Sequence, residues 1–130
     1  MRVLVQRVSE ARVEVGNAVC GAIGAGLLLL VGIEEADTEH DLDWMAQKLV
    51  KLRIFADENG VMNRSVLDCG GEILAVSQFT LFASYAKGNR PSWSRAARSD
   101  ISQPLFDAFV IRLAKLIDKK VSTGVFGANM

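Results

Sequence analysis

The chain predicts an α/β domain in which a mixed β-sheet carries two main helices, and three observations make the case. Leu27–Ile33 is a continuous apolar run with the length of a strand buried on both faces. Leu42, Met45, Ala46, Leu49 and Leu52 recur at helical spacing, as do Phe106, Phe109, Val110, Leu113, Leu116 and Ile117. Short alternating segments closed by glycine-bearing turns occupy much of the remainder. At 130 residues the chain is expected to form one domain, 1–130, large enough for a real core.

Val3, Val5 and, after a break, Val8 begin a strand that alternates with Arg2, Leu4 and Arg7. Ala11–Val15 alternates cleanly, and Gly16-Asn17 turns into a further strand near Val19–Ala22. Gly24-Ala25-Gly26 makes the next turn, into the apolar run. A dinucleotide fingerprint opens a helix, whereas this glycine cluster precedes a strand, so that reading fails. Thr38 is placed to cap the first helix. Arg53-Ile54-Phe55 predicts a short strand and Asp57-Glu58-Asn59-Gly60 a turn. Cys69-Gly70-Gly71 predicts another turn, into a strand over Glu72–Leu81. The second helix is expected from Ser102, with Pro104 in its first turn, where proline is tolerated, and Lys119-Lys120 at its close. Val121–Phe126 predicts a last strand. Trp44 and Phe55 are expected in the core or at an interface.

Half the residues are hydrophobic and 23% are charged, ordinary values for a soluble globular protein. The two cysteines, Cys20 and Cys69, have no framework spacing, which points to reduced thiols in a cytoplasmic setting. The N-terminus breaks too early for a signal peptide, and Leu27–Ile33 is too short to span a bilayer, so no membrane role is expected. Net charge is zero, but unevenly spread. Glu34, Glu35, Asp37, Glu39, Asp41 and Asp43 form an acidic run suited to a solvated helix start. Lys87, Arg90, Arg95 and Arg98 form a basic segment, too small for an extended nucleic-acid groove but able to hold one end of a phosphate backbone.

Val76-Ser77-Gln78-Phe79-Thr80-Leu81, followed by Gly88-Asn89-Arg90-Pro91-Ser92-Trp93-Ser94, is the most informative stretch. As a strand, it sets Gln78 and Thr80 on one face and Ser77, Phe79 and Leu81 on the other. Buried and unpaired, an amide or hydroxyl there costs about 1–3 kcal/mol. The pair therefore serves either a bound polar group or neighbouring backbone. His40, the only histidine, sits among acids near a helix start and reads as a surface residue. A Ser-His-Asp or Cys-His hydrolase then lacks its base. No His/Cys cluster has zinc spacing and no carboxylates gather near Ser77–Leu81, so neither metal nor other cofactor is expected.

These residues also carry a resemblance. SQFTL, KGNRPSWS and the terminal TGVFGANM, with the opening RVLVQRV and the Gly21–Gly26 segment, resemble the D-aminoacyl-tRNA deacylases from Met1 to Met130, in order and without large gaps. The resemblance implies a layered α/β/β, barrel-like fold, a homodimer and hydrolysis of the ester at the 3′ end of D-aminoacyl-tRNA. By analogy the substrates extend to glycine mischarged on tRNA(Ala). It implies Ser77, Gln78, Phe79 and Thr80 as catalytic residues. Arg7, Lys87, Arg90, Ser92 and Trp93, with Ser94 beside them, are implied for substrate and tRNA binding.

Backbone N–H groups at Phe79 and Thr80 are candidates for oxyanion stabilisation, with the ribose hydroxyl of the substrate assisting. Thr80 is either a nucleophile or a positioning residue; the second is preferred, because no general base lies in sequence reach. Trp93 either stacks on a base or packs on the sheet, and Arg7 either braces the pocket or is an exposed edge charge. Similar proteins continue into two more strands and a Gly-Pro turn. This chain is thus expected to be C-terminally truncated relative to the family, weakly active or inactive, and poor at separating D from L substrates. The alternatives are an esterase or amidase of another anionic substrate on the same fold, and a binding-only relic.

Overall fold

The apolar run becomes β4 (Gly26–Gly32), an interior strand of a four-stranded sheet in the computed structural model, which describes residues 1–130. Its antiparallel neighbour is β1 (Arg2–Val8), and its parallel neighbour is β7 (Glu72–Ser77), followed by a second parallel strand, β8 (Ser122–Thr123). Between β1 and β4 the chain forms a separate hairpin from β2 (Ala11–Val15) and β3 (Ala18–Ile23), turned by Gly16 at φ +60°. Helix α1 (Glu39–Lys51), the small ribbon of β5 (Phe55–Ala56) and β6 (Met62–Arg64), and the short helix α2 (Val66–Cys69) connect β4 to β7. Helix α3 (Ser99–Ile117) connects β7 to β8 after a loop.

Strand periodicity sorts β4 into two layers of contact. Leu27, Leu29 and Val31 point to the helices, where Leu42, Ala46, Leu49 and Val50 of α1 meet Phe106, Phe109 and Leu113 of α3 in the main core. Leu28 and Leu30 point the other way, onto a smaller core of Val13, Ile23, Leu74 and Val76 beneath the hairpin. Helices, sheet and hairpin therefore stack as α/β/β, as the family resemblance implies. No helix is long and apolar enough to cross a membrane.

Thr38 caps α1 in a reciprocal box with Asp41, and Ser65 does the same for α2 with Asp68, closed by Gly70 at φ +65°. Three carboxyls lie below their ordinary value as a result of local N–H donors. Asp41 is held there first by the Thr38 backbone, Asp57 by Val61, and Asp68 by the Ser65 backbone.

Three expectations need correction. The strand expected over Glu72–Leu81 ends at Ser77. The Gln78 N–H donates the last ladder bond to Val31 (2.8 Å), the pairing with β4 stops there, and Phe79–Phe82 closes into a 3₁₀ turn. The strand expected over Val121–Phe126 shrinks to Ser122–Thr123, because β8 finds partners only at Leu74 and Ala75 before the chain turns, with Gly127 at φ +77°. Helix α3 starts at Ser99, not Ser102, which moves Pro104 beyond the first turn; the carbonyl it leaves unbonded belongs to exposed Asp100. Of the two aromatic residues expected in the core or at an interface, Phe55 packs half-buried against the core, while Trp44 lies outside it, 55% exposed with the Lys48 ammonium 5.4 Å over its ring.

The 3₁₀ turn is locked onto the end of β4. A Cβ on Gly32 would stand 2.8 Å from Phe82 Cε2 and 3.1 Å from the Gln78 carbonyl oxygen. Phe82 is 2% exposed, and the guanidiniums of Arg2 and Arg95 approach its ring at 4.9 and 5.8 Å. Arg2 also donates to the Leu81 carbonyl (2.7 Å), and Arg95 pairs with Glu34. Gly32→Ala is therefore expected to overpack this joint, at a cost of about 1–3 kcal/mol. A urea midpoint equal to that of the parent would contradict the packing described.

Acid should weaken both helix starts. A carboxyl with a depressed folded pKa contributes stability that is complete above its unfolded value, 3.8 for these aspartates, and is lost as pH falls through the lower folded value. The urea midpoint is expected to hold from neutrality down to that range and then drop. Asp41→Asn with Asp68→Asn should lower the neutral plateau and flatten the acid limb; an unchanged limb would contradict the capping account.

Candidate active site

Two parallel strands, β4 and β7, finish side by side at Gly32 and Ser77, and open α/β sheets bind ligands beyond such carboxyl ends. The turn that follows exposes its opening rather than its close. Leu81 N–H bonds back to Gln78 and Ala83 N–H to Thr80 (3.1 Å). Phe79 and Thr80 begin the 3₁₀ helix, so their N–H groups have no acceptor inside it. Gln78 Nε2 donates to Thr80 Oγ1. The two side chains thus meet through the turn, and not through strand alternation. Phe79, at their centre, is 57% exposed and meets Trp93 edge-on, centroids 5.6 Å apart and planes at 74°.

A cavity of about 690 Å³ opens beside this turn. Leu28, Leu30, Val76 and Val13 form an apolar wall; Ser77, Gln78 and Phe79 line it at the strand ends; Ser99 and Ser102 face it from the start of α3; and Phe126–Met130 run along another side. Arg12 and Glu14 carry its only ionisable side chains, and they pair with each other at 2.9 Å while largely exposed. No three His, Cys, Asp or Glu side chains come together as a metal site.

Of the residues singled out from sequence, Ser77, Gln78 and Phe79 lie on the cavity and Thr80 is joined to it through Gln78. Trp93 touches the cavity only through Phe79, which makes neither sheet packing nor a free platform the whole description. Lys87, Arg90 and Ser92 sit on an exposed arm outside it, closed by paired backbone bonds between Ser84 and Ser92 (2.7 and 2.9 Å), with Gly88 at φ +116° near its tip. Ser94 is likewise exposed. Arg95 and Arg98 are neutralised by Glu34 and Asp100, whereas Lys87 and Arg90 enter no ion pair. Arg7 stands opposite Leu27, on the helix side of the sheet, and donates to the Ile54 carbonyl (2.9 Å), away from the cavity. His40 is exposed on α1.

Sequence reasoning missed Ser99 and Ser102, hidden by setting the helix start three residues late. It also missed the cavity side formed by Phe126–Met130, which it read in part as strand. The positive-φ glycine at 127 was the available signal for a turn there.

Comparison with known proteins gives a consistent picture. The family described as D-Tyr-tRNA(Tyr) deacylase matches residues 4–130. The D-aminoacyl-tRNA deacylases of Dechloromonas aromatica and Chromobacterium violaceum are 67% and 65% identical over 130 residues, all of this chain and 87% of each relative. Among solved structures, one described as c-Myc DNA unwinding element binding protein superposes with a TM-score of 0.92 at 39% identity, covering 99% of this chain and 87% of that one. A probable eukaryotic D-amino acid tRNA deacylase superposes with a TM-score of 0.83 at 17% identity, over 98% and 89% of the two chains, a likeness of fold. A family match over residues 4–130, with relatives 65% and 67% identical across the whole chain, places this protein in the D-Tyr-tRNA(Tyr) deacylase family.

Proposed function

We propose that this chain hydrolyses the ester joining a D-amino acid to the 3′ end of tRNA, releasing free amino acid and tRNA, at the cavity beside Gln78–Thr80. One observation carries the reading: a cavity with an apolar wall opens beside a turn that leaves two backbone N–H groups without acceptors, that of Phe79 on its lining and that of Thr80 next along the chain. An aminoacyl ester is already an activated acyl group, so its hydrolysis chiefly requires stabilising the charge on the tetrahedral intermediate. A preorganised N–H donor contributes about 3–4 kcal/mol to that.

The residues around the turn favour positioning over nucleophilic catalysis. The Thr80 hydroxyl accepts from Gln78, and the cavity offers no histidine to deprotonate it. Glu14, its one side-chain carboxylate, is tied to Arg12. Water then attacks the carbonyl carbon, assisted by the neighbouring ribose hydroxyl. The oxyanion rests on the Phe79 and Thr80 N–H groups, and the bond to the ribose oxygen breaks as that oxygen takes up a proton. The apolar wall receives the amino-acid side chain, and the volume lies within the range of small-ligand sites, about 300–1,000 Å³. The Phe79–Trp93 pair offers a surface on which the terminal base stacks. Lys87 and Arg90, free of acidic partners, meet phosphates further along the strand, with Ser92 beside them, and Arg7 acts indirectly through the Ile54 loop. The same reading extends to glycyl-tRNA(Ala), to work as a homodimer and to a cytoplasmic setting.

Chain-terminal D-tyrosyl-tRNA should release free D-tyrosine on incubation with the protein. Replacing the vicinal ribose hydroxyl of the substrate by hydrogen should slow release far more than Thr80→Ala does, by at least about tenfold on the scale of a lost general-base contribution. Loss of all activity in Thr80→Ala, with normal turnover of the deoxy substrate, would make Thr80 the nucleophile. No release from any D-aminoacyl-tRNA would overturn the proposal.

A further inference from the structure

Helix α3 begins at the cavity without a side-chain cap. Its N-cap is Arg98, whose side chain makes no capping bond and reaches Asp100 instead (3.2 Å). Arg98 O accepts from Ile101 and Ser102, so the N–H groups of Ser99 and Asp100 are left without intrahelical partners. A nineteen-residue helix concentrates partial positive charge at this end.

An independent observation comes from Ser102. It is 8% exposed, one of only two buried polar residues in the chain, and it lines the cavity. None of the protein's side-chain hydrogen bonds uses its hydroxyl, although the other buried polar residue, Ser65, accepts from Asp68 N–H. No buried side-chain oxygen or nitrogen is sealed away unpaired. The hydroxyl therefore borders open space, and the space it borders is the cavity. Ser99, one turn earlier, lines the same side. The acids nearby are answered: Asp100 by Arg98, and Glu14, across the cavity, by Arg12.

We propose that the start of α3, with the Ser99 and Ser102 hydroxyls, is a subsite for the terminal phosphodiester of the tRNA 3′ end. This rests on the deacylase reading and adds to it a second anchoring point. The ester is held at the turn of Phe79 and Thr80, while the phosphate one nucleoside away is held at the helix start. The chemistry of the subsite suits that group: N–H and O–H donors, a helix dipole and no unpaired side-chain carboxylate. Lys87 and Arg90 lie outside the cavity and are left to phosphates further along the strand.

The test uses two non-hydrolysable probes: 3′-deoxy-3′-(D-tyrosylamino)adenosine and the same molecule carrying a 5′-phosphate. The parent protein should bind the phosphorylated probe about tenfold more tightly, the scale of a hydrogen bond to a charged group. Ser102→Ala should remove most of that preference, read as the ratio of the two affinities in the same variant, and Ser102→Asp should reverse it. Thermal melting of both variants establishes that they are folded. Equal affinity of the parent for the two probes, or an undiminished preference in folded Ser102→Ala, would overturn the subsite alone. Failure of the parent to bind either probe would overturn the site reading and the subsite together.

Discussion

β4 is packed on both faces and has glycine at both ends, and each end depends on the side chain that is absent. At Gly26 a Cβ would run into the backbone of Glu72, so the parallel pairing with β7 starts only because that position is bare. At Gly32 it would strike Phe82 and crowd the Gln78 carbonyl. These two close approaches fix where β7 begins, where it stops and how the chain folds over afterwards. The turn bearing Gln78, Phe79 and Thr80 is a consequence of that geometry.

Charge around the turn does a different job from charge on the loop. Arg2 and Arg95 lie against Phe82 and bond to Leu81 and Glu34, holding the turn from two directions with cations that are no longer free. Lys87 and Arg90 stand on a separate arm with no acid beside them. A basic segment that looks uniform in sequence thus divides into structural and available halves. The available half is small, which fits contact with a few phosphates at one end of an RNA better than an extended duplex surface.

Much of the fold is legible in the sequence because burial leaves a period. Leu27–Ile33 reads as a doubly buried strand, and the stripes of α1 and α3 place both helices on it. Thr38 announces a cap, and Gly16 and Gly60 announce turns, through local chemistry that needs no tertiary context. What failed depended on distant partners. Phe79-Thr80-Leu81-Phe82 has β-favouring side chains, yet it becomes a 3₁₀ turn because the pairing with β4 stops before it and Phe82 has a pocket to fill. The start of α3 carries no capping residue; it is set by Ala97, whose N–H bonds to Ile33 at 2.9 Å, so its serines could not be seen to face the site. The motif residues were recognisable, but the cavity that joins only some of them was not.

The claim at the centre of this account is that the ester is bound at the opening of the Phe79–Phe82 turn. Amide chemical shifts of the labelled protein, followed while a non-hydrolysable D-tyrosyl-adenosine is added, test it directly. The account predicts that the Phe79 and Thr80 amide signals move most, downfield as they donate to the ligand carbonyl, with Ser77 and Gln78 following. Saturating shifts confined to the exposed arm around Lys87 and Arg90, or to the outer face of α1, with Phe79 and Thr80 unmoved, would contradict it.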